Sequence, residues 1–161
     1  MEIIENFLPQ GYFTSLKNQI MSVDFPWFFN GQINANSEDD DLHYYMTHLL
    51  YAETANSSYY KEFIPLFQQI GIQTDKQLIR AKVNMYPRTD TLHINPAHID
   101  FDYPHKGFIL SFNSNDGCTV LKSEKVDSVE NRALFFDSSQ HHSSTTCTNA
   151  KARFNININY I

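Results

Sequence analysis

The stretch Arg153-Phe154-Asn155-Ile156-Asn157-Ile158-Asn159-Tyr160 alternates polar and apolar residues without a break. Successive side chains of a β-strand point to opposite faces, so Arg153, Asn155, Asn157 and Asn159 share one face and Phe154, Ile156, Ile158 and Tyr160 the other. The apolar face can pack on a core. The polar face can line a cavity or meet solvent, and an arginine fixed inside a β-structure suits a two-point grip on a carboxylate. The same texture of short alternating runs between turn residues begins at residue 78. Residues 78–88 put Arg80, Lys82, Asn84 and Tyr86 on one face and Ile79, Ala81, Val83 and Met85 on the other. Residues 107–113, 118–122 and 132–136 read as further strands, and 151–160 is the last. Between 107–113 and 118–122, Asn115-Asp116-Gly117 reads as a hairpin turn, because glycine accepts positive φ without steric cost.

The text ahead of residue 78 is different. Residues 3–8 read as a short strand, and Pro9 opens a helix to about residue 21 in which Phe13, Leu16 and Ile20 form one apolar face. Ser57-Ser58 can cap a second helix, with Tyr60, Phe63, Ile64 and Phe67 as its stripe and Gly71 near its end. Phe25-Pro26-Trp27-Phe28-Phe29 either packs against a sheet or lines an entrance. Residues 34–41, with Glu38, Asp39, Asp40 and Asp41 in succession, read as a solvated turn, and 43–52 as a strand. His43 and His48 fall there and read as structural. The expected organisation is one domain over 1–161, with helical support in 1–77 and a β core in 78–161.

Composition narrows the function classes. A chain of 161 residues with 42% hydrophobic and 14% aromatic residues can bury a real core. A net charge of −6 argues against nucleic acid as a partner. Cys118 and Cys147 form no metal or redox pair motif and read as free thiols. No charged-then-apolar leader and no apolar run near the roughly 20 residues of a membrane span are present, so a soluble, cytoplasmic protein is expected.

Chemistry enters at His98-Ile99-Asp100. In a strand these two side chains would face one cavity and supply two ligands of a metal site, and His141-His142 offers the third. Two imidazoles and one carboxylate bind one face of a divalent ion and leave the opposite positions open, as non-haem Fe(II) sites require. Adjacent strand residues face opposite ways, so only one of His141 and His142 can reach the metal.

The ordered set His98-x-Asp100, His142 and Arg153, with Phe136-Asp137, His142-Ser143-Ser144-Thr145-Thr146-Cys147-Thr148 and Arg153-Phe154-Asn155, resembles the Fe(II)- and 2-oxoglutarate-dependent oxygenases. Within them it is similar to the small prolyl-hydroxylase-like branch of phage and marine microbial sequences. The resemblance runs from about residue 78 to the end and implies a mostly β fold, a double-stranded β-helix of jelly-roll or cupin type with N-terminal buttressing helices. It implies Fe(II) on His98, Asp100 and His142, and the distal carboxylate of 2-oxoglutarate on Arg153. Tyr86, Asn84 and Asn155 are expected beside the cosubstrate. The implied reaction consumes O2 and 2-oxoglutarate, releases succinate and CO2, and hydroxylates a peptide side chain or a small molecule. A cupin-type metalloenzyme without 2-oxoglutarate, which has no need of Arg153, and a non-catalytic binding protein, which would dispense with the metal triad, are the alternatives.

Overall fold

A computed structural model of the protein describes residues 1–31, 44–122 and 124–161. The acidic run 38–41 and His43 lie outside the described residues. The chain runs β1 (Glu2–Ile4), α1 (Gln10–Ile20), β2 (Phe28–Asn30), β3 (Tyr45–Ala52) and β4 (Thr54–Ala55). A 3-10 helix (Ser58–Phe63), α2 (Ile64–Gln69), β5 (Leu78–Pro87), β6 (Lys106–Ser111), β7 (Cys118–Leu121) and β8 (Glu124–Asp127) follow. The chain closes with β9 (Ala133–Asp137), β10 (His142–Ser144) and β11 (Ala152–Tyr160). The larger sheet has the order β1-β9-β6-β11-β5-β3-β2, with β4 paired to β3, and the smaller has the order β10-β7-β8. Two stacked antiparallel sheets with helices against one of them form a double-stranded β-helix, the fold that the resemblance implies. Residues 1–77 contribute β1–β4 to the larger sheet as well as helices. No helix among the described residues is long and apolar enough to cross a membrane.

Strand alternation divides the molecule into an oily layer and a polar one. Ala81, Val83, Phe108, Leu110, Ile156 and Ile158 pack with Phe13, Leu16 and Ile20 of α1 and with Leu66 and Phe67 of α2. That core lies between the helices and the outer face of the larger sheet. The inner face carries Arg80, Lys82, Asn84 and Tyr86 of β5 beside Arg153, Asn155, Asn157 and Asn159 of β11. Direct pairing of Arg153 with Tyr86, Asn155 with Asn84, Asn157 with Lys82 and Asn159 with Arg80 sets their positions. A smaller apolar cluster of Ile109, Val126, Leu134 and Phe136 fills one end of the space between the sheets.

Local expectations meet three corrections. The second helix begins as a 3-10 helix capped by Ser57 Oγ, which accepts from the Tyr59 amide, and only then becomes α-helical. It ends in a Schellman motif: Ile72 N–H reaches Phe67 O, Gly71 N–H reaches Gln68 O, and Gly71 takes φ of 92°. In the aromatic run only Phe25 is buried, whereas Phe28 and Phe29 are 60% and 69% exposed. Asp116-Gly117 makes no hairpin, because β6 and β7 belong to different sheets and β7 pairs with β8 instead.

Gly117 is needed for close approach. A Cβ there would lie 2.5 Å from the Thr146 carbonyl oxygen and 2.9 Å from Cδ of Arg153. Gly117→Ala should lower stability by about 1–3 kcal/mol through overpacking, and an unshifted urea midpoint would contradict this.

Candidate metal and anion site

His98 and Asp100 sit in the irregular segment between β5 and β6, not in a strand. Backbone bridges tie this segment along the smaller sheet at Arg88–Cys147, Ile94–Thr145 and His98–His142. The last is a two-way pair, His98 N–H to His142 O at 3.0 Å and His142 N–H to His98 O at 2.9 Å. It brings two imidazoles that are distant in sequence to a ring separation of 4.6 Å. His98, Asp100 and His142 each offer one ligand atom, all within 4.8 Å of one another. His142, the first residue of β10, is 5% exposed, while His141 just before the strand is exposed.

Hydrogen bonds fix the tautomers. Nδ1 of His98 faces the Pro96 carbonyl at 3.3 Å and Nδ1 of His142 faces the Gln140 carbonyl at 2.9 Å. A carbonyl only accepts, so each Nδ1 carries the proton and each Nε2 keeps a bare lone pair. Those Nε2 atoms lie 3.8 Å and 3.7 Å from the Asp100 oxygens, too far for a hydrogen bond. Burial, then the neighbouring His142, pushes the His98 pKa down and favours its neutral, ligand-ready form. Lone pairs and a carboxylate converging without a proton between them suit a cation. With bonds of about 2.0–2.2 Å, two donors on one ion can stand as far apart as these do.

Asp100 is held by four donors. Arg80 Nη2 reaches Oδ1 at 2.6 Å, while Ser138 Oγ, Asn159 Nδ2 and Asn157 Nδ2 reach Oδ2 at 2.6, 2.8 and 3.4 Å. Burial alone would raise the Asp100 pKa. Arg80, Ser138, His142 and Asn159 outweigh it and hold the carboxyl well below the usual carboxylate range.

Arg153 stands at the other end of the same pocket. It is 1% exposed and donates to Ser128 Oγ at 2.7 Å, Thr145 O at 3.0 Å and Thr119 Oγ1 at 2.9 Å. Its guanidinium lies 5.4 Å from the Tyr86 ring centroid. Among the described residues no carboxylate pairs with it. A guanidinium has five N–H donors, so one remains on each Nη, the fork that matches a carboxylate. Burying a charge without a counter-ion is costly, and an anionic ligand offsets that cost. Burial lowers the Arg153 pKa, but an arginine stays protonated at neutral pH.

His98, His142, Arg153, Tyr86, Asn84 and Asn155 all line this one pocket. Its free volume is small, about 30 Å³. A larger surface cleft of about 760 Å³ lies beside His105, but among the described residues it gathers no comparable set of ligand atoms. Asn84 Nδ2 donates to Asn155 Oδ1 at 3.0 Å, and Asn84 Oδ1 is buried without a partner among the described residues.

Sequence reasoning put Arg80, Lys82, Asn157 and Asn159 on the correct faces without giving them a role. Ser138, Thr119 and Ser128 carried no signal, since only the fold brings them to the site. His48 is a satisfied structural histidine, with Nδ1 on the Pro26 carbonyl at 2.7 Å and Nε2 on Ser57 Oγ at 2.6 Å. Cys118 and Cys147 are buried free thiols.

Lys82 is a further cation on the same wall. Burial, then Arg80, lowers its pKa to about 8, with Asp100 acting in the opposite sense. Below pH 8 folded and unfolded chains both carry the ammonium, and the folded chain bears the cost of burying it. Between 8 and 10.5 the unfolded chain binds more protons, so stability rises with pH. Lys82→Met should therefore raise Tm at pH 7 by about 2–4 °C, for an effect on the order of 1 kcal/mol. The gain should shrink as pH climbs from 8 towards 10.5. A pH-independent difference in melting scans would contradict this.

No family model matches the sequence, and no curated protein matches it. Solved structures do match its fold. A Trichoplax adhaerens prolyl hydroxylase, in complex with a peptide fragment of the hypoxia-inducible factor oxygen degradation domain, superposes with a TM-score of 0.70 at 18% identity, covering 99% of this chain and 82% of that one. A 2OG-Fe(II) oxygenase family oxidoreductase from Burkholderia pseudomallei gives 0.69 at 10% identity, over 98% and 83%. The non-haem α-ketoglutarate-dependent epimerase SnoN of nogalamycin biosynthesis gives 0.69 at 11%, over 99% and 76%. At these identities the likeness is one of fold.

Proposed function

We propose that the protein is an Fe(II)- and 2-oxoglutarate-dependent oxygenase that hydroxylates a C–H bond of its substrate. The observation that carries this reading is Arg153, a buried cation without an acidic partner among the described residues, opening on the pocket that holds His98 and His142. A cupin-type metalloenzyme without 2-oxoglutarate, or a binding protein on the same barrel, leaves that charge unexplained.

His98, Asp100 and His142 would hold Fe(II), with Nε2 as the donor atom of each histidine. When bound, the metal with 2-oxoglutarate and O2 supplies the oxidising chemistry and yields succinate and CO2. The chain's own residues hold and orient. Arg153 takes the distal carboxylate of 2-oxoglutarate through its two remaining N–H groups, and Tyr86, stacked on Tyr45 at 5.4 Å, forms the wall beside it. Asn84 and Asn155 would contact the cosubstrate as a pair. Exchanging oxygen and nitrogen in both amides keeps their mutual bond and turns Asn84 Nδ2 towards an anion.

Asp100 provides a carboxylate ligand, which favours hydroxylation. An epimerase with this fold makes the product itself the thing to measure. We read the chain as one cytoplasmic domain acting on a peptide side chain, as the Trichoplax enzyme's bound peptide suggests, or on a small molecule. Incubation with Fe(II), 2-oxoglutarate and O2 should form succinate, and a converted substrate should gain 16 mass units, about one oxygen atom. No succinate with any candidate substrate, and none uncoupled, would reject the proposal.

A further inference from the structure

We infer that the substrate is a small carboxylic acid with a hydrogen-bond donor beside the acid group, an amino acid or hydroxy acid, held by Lys82 and Asn157. The inference rests on the function proposed above and narrows its substrate. Lys82 of β5 and Asn157 of β11 are direct cross-strand partners, so their side chains stand together on the inner face. That face is the one from which Arg80 and Asn157 reach Asp100.

The two residues leave complementary valences. Lys82 Nζ donates to Tyr45 Oη at 3.1 Å and lies 5.1 Å from that ring's centroid. No carboxylate among the described residues pairs with it. An ammonium has three donors, so two stay available for an anion. Asn157 Oδ1 is buried and accepts nothing from the described residues, while its Nδ2 faces Asp100 Oδ2. A buried acceptor without a donor is a cost that a ligand N–H or O–H removes.

The other cations of the wall are committed. Arg80 is bound to Asp100 and to Asn159 Oδ1 at 3.2 Å, and Arg153 is assigned to the cosubstrate. One ammonium beside one acceptor matches a singly charged carboxylate with a neighbouring ammonium or hydroxyl. A peptide-internal residue without an acidic side chain offers no carboxylate, so this pair of groups selects against such a site.

The test uses the Fe(II)- and 2-oxoglutarate-loaded protein under anaerobic conditions, followed by its visible absorption band. It is titrated with free L-amino acids and α-hydroxy acids, and separately with the N-acetyl amides of the same amino acids. The expected result is that at least one free acid perturbs the band and, once O2 is admitted, increases succinate formation, while its blocked twin does neither. Lys82→Met should weaken that acid's binding at least tenfold, with Lys82→Arg recovering part. Asn157→Ala should weaken it too and serves if the Lys82 variants do not fold. A blocked amide binding as tightly, unchanged affinity in Lys82→Met, or no free acid binding would each overturn the inference. If the wild-type protein shows no 2-oxoglutarate band at all, it is the proposed function that fails.

Discussion

Arg153→Ala should weaken 2-oxoglutarate binding to the Fe(II)-loaded protein by at least about tenfold. Removing one partner of a buried, hydrogen-bonded charge pair costs roughly 2–5 kcal/mol, and each 1.4 kcal/mol is about a factor of ten. Arg153→Lys should recover only part, because an ammonium keeps the charge and loses the fork. Arg153 also ties Ser128 and Thr119 to the Thr145 carbonyl, so the alanine variant will lose stability. The lysine variant therefore carries the comparison if the alanine variant melts early. Fe(II) affinity should change little in either. Unchanged 2-oxoglutarate affinity in both would return the cupin or binding-protein reading to favour.

The second large effect is expected at the metal. His142→Ala removes a buried Nε2 lone pair 3.7 Å from Asp100 and should abolish measurable Fe(II) binding, whereas His141→Ala, at the exposed residue just before β10, should bind as the wild type does. Anaerobic Fe(II) titration of both variants decides it, and equal losses would refute the assignment. Asp100 needs a gentler substitution. Alanine there strands Arg80 without its counter-ion, a change that costs about 3–5 kcal/mol when the pair is buried. Asp100→Asn removes the ligand charge while keeping a carbonyl oxygen for Arg80. It should lose metal and remain folded, as a cooperative melt with no bound iron would demonstrate.

Much of the architecture was legible because one face of each long strand is oily. Alternation in β5 and β11 gave the faces directly, and the inner one carries the polar groups of the site. What was not legible depended on pairing across the two sheets. The Asp116-Gly117 text reads as a hairpin because local φ freedom is what a sequence displays, while the approach of the Thr146 carbonyl to Gly117 is a tertiary fact. The His98-x-Asp100 spacing reads as two residues of a strand. What brings His98 to His142 is the backbone bridge between them, and that is a matter of pairing rather than of the two-residue period. Arg80 and Lys82 show the same limit: their face was readable, but the 2.6 Å contact of Arg80 with Asp100 and the pairing of Lys82 with Asn157 required the register.

The central claim is that a metal held by His98, Asp100 and His142 and an anion held by Arg153 meet in one pocket. Anaerobic titration of the protein with Fe(II) and 2-oxoglutarate, separately and together, tests it most directly. The account predicts a visible absorption band only when both are present, saturating at one equivalent of each per chain, weakened in Arg153→Lys and lost in His142→Ala. A protein that binds Fe(II) but develops no band with 2-oxoglutarate, or one whose band survives in His142→Ala, would contradict it.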